Sequence, residues 1–223
     1  MVYSYCLYMS LNISLKYILL ILSSFLFIFI SISGILFSLL KFEFIYQYNL
    51  SIYPIEERTS LPIDLIENTN IQIKEYFFSQ EEFLNVELFN DKEILHMKDV
   101  KEIINNLFLF GKISSLILVL IAFLVIYKFK VHLYSIFKYS SIIFIIIIFL
   151  FFLLSLISFN KIFMLFHEIA FRNDLWLLNI NEDYLLMMFP ESFFRDVAIF
   201  LLLSSLIVNF IMFYITKSLS NKA

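Results

Sequence analysis

Four stretches of this sequence are apolar over the roughly 20 residues that an α-helix needs to cross a bilayer. They are Tyr17–Leu40, a segment centred on Ile113–Tyr127, Tyr139–Phe159 and Val197–Ile215. The uncharged core of the second is short, so its span extends outward through Leu107–Phe110, with Lys112 snorkelling at the interface. The third carries an entirely apolar run, Ile142–Leu154. A mean hydropathy of +0.90 and a hydrophobic share of 61%, against about 45–50% for soluble domains, agree with this reading. The sequence predicts an α-helical integral membrane protein with four transmembrane helices.

The charges then orient it. Residues 1–16, 128–138 and 216–223 hold Lys16, Lys128, Lys130, Lys138, Lys217 and Lys222 and no acid. All 19 acids fall in 41–112, which holds 13, and in 160–196, which holds 6. Short loops rich in lysine stay in the cytoplasm. The expected order is a cytoplasmic N-terminus (1–16), a first span (17–40), an extracytoplasmic portion (41–106), a second span (107–127), a cytoplasmic loop (128–138), a third span (139–159), an extracytoplasmic interfacial segment (160–196), a fourth span (197–215) and a cytoplasmic tail (216–223). Ser31-Ile32-Ser33 resembles a signal-peptide cleavage site, but apolar character runs on to Leu40, which favours an uncleaved anchor. Cys6 precedes that anchor, on the reducing side, and reads as an inert or buried thiol.

Within 41–106, Phe42, Phe44, Tyr46, Tyr48, Leu50 and Ile52 alternate with more polar neighbours, a period of two that predicts a strand over Lys41–Tyr53. Phe83–Phe89 alternates weakly and could pair with it, giving a small α+β portion. Ser60 and Pro62 predict a helix near Pro62–Phe78. Asn90-Asp91-Lys92-Glu93 reads as a helix cap with acids in the first turn, opening a helix able to run unbroken into the second span. Lys161–Phe171 and Tyr184–Phe194 are aromatic and too short to span. They suit a bilayer surface and equally suit packing beneath the larger outer portion.

Several chemistries are excluded. Two glycines, Gly34 and Gly111, cannot build a phosphate loop or a dinucleotide fingerprint, so no nucleotide is expected. A net charge of −3 argues against nucleic acid. One cysteine excludes a disulfide framework. There is no GxSxG elbow and no HExxH or HxxxH spacing, so neither a serine hydrolase nor a zinc site is expected, and no cofactor or metal is predicted.

The candidates that remain are histidines. His132 lies among the cytoplasmic lysines. His96 stands before the second span and His167 after the third, both on the outer side and at similar depth if those helices are neighbours. Asp99, three residues from His96, shares its helix face and is placed to hold the imidazole in one tautomer. Glu168 and Arg172 are spaced to pair.

The stretches Leu95-His96-Met97-Lys98-Asp99-Val100-Lys101, Phe166-His167-Glu168-Ile169-Ala170-Phe171-Arg172-Asn173-Asp174-Leu175-Trp176 and Phe189-Pro190-Glu191-Ser192-Phe193-Phe194 resemble the bacterial lipoprotein intramolecular transacylases, and the four-span layout fits that family. The resemblance implies a multi-pass enzyme of the bacterial plasma membrane with its site at the outer face. Its partners would be diacylglyceryl-modified lipoproteins and membrane lipid. The sn-2 acyl chain would move from glycerol to the lipoprotein's own α-amine, leaving a lyso-form. His167 then reads as general base and acid and His96, with Asp99 behind it, as oxyanion or orienting donor, with the reverse assignment equally open. Asn173 is a second candidate for the oxyanion, and Arg172, Asp174 and Trp176 are candidates for shaping the pocket or holding the amine. Two other readings stand beside this one: an acyltransferase or hydrolase acting on phospholipid, and a non-enzymatic membrane scaffold in which both histidines merely pack.

Overall fold

The computed structural model describes residues 2–222, with side chains from Ile13 onward apart from those of 155–157, so the expectation for the Cys6 thiol lies outside the described side chains. The helices are α1 (Val2–Lys41), α2 (Phe44–Ile52), α3 (Ile55–Thr59), α4 (Ile63–Tyr76), α5 (Asp91–Phe129), α6 (Tyr134–Ile157), α7 (Phe159–Ala170), α8 (Tyr184–Met188) and α9 (Glu191–Ser220). Stretches of α1, α5, α6 and α9 are long and apolar enough to cross a membrane. The chain divides into two compact units, one formed by the chain to Ile35, Phe108–Phe151 and the chain from Leu201, the other by Leu36–Leu107 and Phe152–Phe200.

The first unit is a helical bundle held by small and polar contacts. Leu20, Val125 and Ile136 form a buried cluster, and Phe27 meets Phe137 edge to face at 4.7 Å. A Cβ on Gly111 would stand 2.4 Å from Ser33 Oγ, so glycine is what lets α5 approach α1 there. Asn209 on α9 is fully buried. It accepts a bond from Ser140 of α6 and donates to Ser31 of α1 at 3.3 Å and to the Ser205 carbonyl at 2.8 Å. Apolar residues such as Leu116, Val119 and Phe123 point outward instead, as lipid-facing positions do.

The second unit corrects the expected α+β portion: among the described residues there is no strand. Residues 44–52 are helical, burying Ile45, Tyr46 and Asn49 while Phe44 is 59% exposed. A lone strand would leave its backbone donors unpaired, whereas a helix satisfies them internally. Residues 83–89 do bury alternate side chains, Leu84 and Val86, but as a loop that bends and turns, without a partner strand. Tyr76 Oη and Lys101 Nζ hold that loop by donating to the carbonyls of Glu82 (2.9 Å) and Glu81 (2.8 Å). The helix expected near Pro62–Phe78 is α4, which buries Ile66, Thr69, Asn70, Ile73 and Tyr76 along one face.

Candidate functional site

His96 and His167 both belong to the second unit. α5 opens with a capping box: Glu93 N–H donates to Asn90 Oδ1 at 3.1 Å and Asn90 N–H donates to Glu93 Oε2 at 2.8 Å. This fixes the first turn, and His96 follows in the next. α7 begins at Ser158, whose hydroxyl accepts from Lys161 N–H. Its outer face exposes Leu165, Phe166 and Ile169, the last at 78%, while His167 on the other side is buried.

The two imidazoles stand with ring centroids 6.2 Å apart. Phe171 lies 5.0 Å from His96 and 5.4 Å from His167, and Phe163, Phe166 and Trp176 complete an aromatic wall around His167 at 4.3, 5.3 and 5.2 Å. His167 Nδ1 is 2.7 Å from the Phe163 carbonyl. A carbonyl can only accept, so Nδ1 carries the proton and Nε2 keeps its lone pair. Burial holds the His167 pKa below the ordinary histidine value, partly offset by that hydrogen bond. His96 is equally enclosed, and its Nδ1 has no hydrogen-bond partner.

Segment 171–185 crosses this pair and is fastened to the start of α5. Asn173 Nδ2 donates to Asp99 Oδ2 at 2.8 Å, and Lys92 Nζ donates to the Leu177 carbonyl. Asn90 Nδ2 donates to Asp183 Oδ1 at 2.7 Å, and Leu185 N–H donates to Glu93 Oε1 at 2.6 Å. Beyond it α8 is capped at its far end, where Asn49 Nδ2 and Arg58 Nε donate to the carbonyls of Met188 and Met187.

The structure therefore brings His96, His167, Asp99, Asn173 and Trp176 into one neighbourhood. Asp99 does not hold the His96 tautomer as expected: it accepts from Asn173 Nδ2, while His96 Nδ1 is left without a partner. Arg172 and Asp174 are exposed, and no ion pair joins Arg172 to Glu168. His132 belongs to the first unit, where its ring stacks on Tyr134 and its Nδ1 is 2.7 Å from Ser220 Oγ. Sequence reasoning read Phe163 and Phe171 only as part of an aromatic segment and Glu93 only as part of a helix cap, and it did not single out the Phe163 carbonyl or Asp183. The Asn90–Glu93 spacing announced the cap of α5 but not its bonds to Asp183 and Leu185. Among the described residues no three His, Cys, Asp or Glu side chains converge as a metal would require.

Four helices long and apolar enough to cross a membrane, with a pair of buried, aromatic-walled imidazoles, define a helical integral membrane protein with a paired-histidine candidate site. The family model for the lipoprotein intramolecular transacylase Lit matches residues 18–194, and the chain belongs to that family. A solved structure of the membrane integral lipoprotein intramolecular transacylase Lit from Bacillus cereus superposes with a TM-score of 0.79 at 20% identity, covering 94% of this chain and 99% of that one. Structures of the same protein with a histidine replaced by arginine or by alanine give 0.80 and 0.79 at 21% identity, each covering 96% of this chain and 96% and 97% of theirs. At this identity the likeness establishes the fold. No curated protein matches the chain.

Proposed function

We propose that this protein moves the sn-2 acyl chain of a diacylglyceryl-cysteine lipoprotein onto the lipoprotein's own α-amine at the outer face of a bacterial membrane. The observation that carries the reading is the fixed tautomer of His167, a neutral imidazole with its Nε2 lone pair free of the Phe163 hydrogen bond.

The substrate holds ester and amine in one molecule, so alignment replaces collision, and effective molarities for such reactions reach about 10⁵–10⁸ M. The amine nitrogen attacks the sn-2 carbonyl, and His167 Nε2 takes the proton that nitrogen sheds. The new C–N bond leaves a tetrahedral oxyanion, to which His96 or Asn173 donates. Collapse breaks the bond to the glycerol oxygen, and His167 returns its proton there as the sn-2 hydroxyl forms. No second lipid and no water are consumed.

We place the second span at 107–127, which leaves His96 outside the hydrocarbon. Burial, with the neighbouring His167 second, pushes its pKa down to about 4. A neutral imidazole at that position has an N–H to offer and no fixed charge to compete with the amine. The apolar outer face of α7 and the aromatic wall suit acyl chains arriving from the outer leaflet.

The test is to express the protein in a bacterial host that makes only diacyl lipoproteins and to weigh an N-terminal lipopeptide. The expected product has unchanged total mass, with one acyl chain on nitrogen. A chain acquired from or lost to phospholipid, with activity varying with added phospholipid, would instead make this a phospholipid-acting enzyme. An unmodified lipopeptide would reject the assignment.

A further inference from the structure

A helix cap does not require a carboxylate. Glutamate and glutamine serve alike in a capping box, because the backbone N–H they reach back to needs one oxygen. Glu93 supplies two. Its Oε2 accepts from Asn90 N–H at 2.8 Å, which closes the cap of α5, and its Oε1 accepts from Leu185 N–H at 2.6 Å, in the first turn of α8. A carboxylate has an acceptor at each end. A carboxamide has a donor at one end and would set N–H against N–H there. Glu93 is 1% exposed, and none of the ion pairs among the described residues includes it. Burial pushes its pKa up, the Leu185 and Asn90 N–H groups oppose that, and Asp183 nearby adds a smaller upward push. A buried carboxylate without a cation is costly, so the charge is the feature to explain.

What the carboxylate joins explains it. On one side, the capped first turn of α5 leads to His96, three residues on. On the other, Leu185 closes the segment 171–185. Asn90 adds a second fastening, since its Nδ2 donates to Asp183 Oδ1 at 2.7 Å, and Asp183 Oδ2 accepts from Asn179 N–H at 2.6 Å. The segment anchored in this way carries Phe171, which lies against both imidazoles, and Trp176, which lies against His167. We propose that Glu93 is a positioning residue: its ionised carboxylate, by holding Asn90 N–H and Leu185 N–H together, sets His96 and the aromatic wall of His167 in one register. It acts through those two N–H groups and not on the substrate. That this register serves acyl transfer rests on the proposed function. The register itself does not.

The full-length protein in nanodiscs is assayed on a diacylglyceryl-cysteine lipopeptide. Glu93→Gln keeps the shape and the cap and removes one of the two acceptors. It should lower kcat by about tenfold to a hundredfold, the scale of a small misplacement of reacting groups. KM should stay within about twofold, because no contact to substrate is lost. Trp176 emission should shift to the red and be quenched more by iodide. The acid limb of kcat/KM should move up toward about pH 6.5 as water reaches His167. The α-hydroxy acid analogue of Leu185, which replaces only its N–H by oxygen, leaves Glu93 and its cap intact and should give the same three changes. Glu102→Gln, an exposed acid on the same helix, should change nothing. A loss of activity or of folding in Glu93→Gln, with Trp176 emission and the acid limb unmoved in the Leu185 analogue, would overturn the proposal and leave Glu93 as a helix cap alone. Unaltered kinetics and emission in Glu93→Gln would overturn it too. If the wild type moves no acyl chain, the functional reading fails, and Trp176 emission in the two variants still decides whether the carboxylate sets the register.

Discussion

A single hydrogen bond, from His167 Nδ1 to the carbonyl of Phe163, leaves Nε2 as the nitrogen available for the proposed proton transfer. General acid–base catalysis contributes about 10²–10⁴ in rate, so His167→Ala should lose about that factor in acyl transfer while the protein still inserts. His96→Ala should lose about 10²–10³ if its N–H serves the oxyanion. His132→Ala, in the other unit, should leave activity unchanged and serves as the control in the same mass-spectrometric assay. The pH dependence follows from burial. The His167 pKa lies below its unfolded value, so the unfolded chain binds the proton more readily. This stabilising contribution is therefore full above about pH 6.5. It is lost as pH falls through the folded value. The same shift shapes the rate: log kcat/KM should rise with unit slope below the amine pKa of about 8, and steepen to a slope of two only below about pH 6.5. Protonated imidazole quenches indole emission, so the only tryptophan, Trp176, 5.2 Å from His167, should dim over the same lower range. The histidines themselves were legible in the sequence, because charge segregation and distance from the spans put both on one side. The partner of Asp99 was not. Helical spacing relates Asp99 to His96 within α5, but nothing local to α5 announces that Asn173 arrives from a loop 74 residues away.

The elements of the outer unit show where periodicity stops being informative. Residues 42–52 alternate apolar and polar, and a strand was the natural inference, yet α2 buries Ile45, Tyr46 and Asn49 and leaves Phe44 and Ile52 outside. Period two tracks a core only when apolar residues are confined to the core, and beside a lipid surface they are not. α4 and the start of α5 were readable for the opposite reason. Their start signals are local in sequence: Pro62 precedes α4, and Asn90 and the buried Glu93 bond each other across three residues. The segment 171–185 is a third kind of element, ordered by bonds to the start of α5 together with its own side chains, as where Leu175 N–H donates to Asn173 Oδ1 and Asn179 N–H to Asp183 Oδ2. Asp99→Ala should free Asn173 and loosen the fastening near Trp176. The expected readout is a red-shifted Trp176 emission with greater quenching by iodide, and unchanged emission would mean that the buried bonds at Asp183 and Glu93 suffice alone.

For the whole molecule, the long helices and their number were plain from hydropathy, and four candidate spans are present among the described residues. What holds the membrane bundle was not plain, since serine, asparagine and glycine in an apolar run carry no period. Gly111→Ala should destabilise the protein by about 1–3 kcal/mol through overpacking against Ser33. Ser33→Gly should return part of that loss, read as thermal melting in detergent. The lysine pattern of the loops gives the expectation for orientation: alkaline phosphatase fused to the C-terminus should be inactive, and a green fluorescent protein in its place should glow.

The outward-facing apolar positions of the bundle, among them Leu116, Val119 and Phe123, have a consequence for how such a chain changes over generations. Lipid asks of them only that they stay greasy, so leucine, isoleucine, valine and phenylalanine can trade places there with little selective cost. Asn209, Ser140 and Gly111 have no such latitude, because each meets a particular atom of a neighbouring helix. Divergence should therefore run quickly around the rim and slowly along a thin polar thread inside. A deep mutational scan should trace that thread as a handful of intolerant sites within otherwise permissive helices.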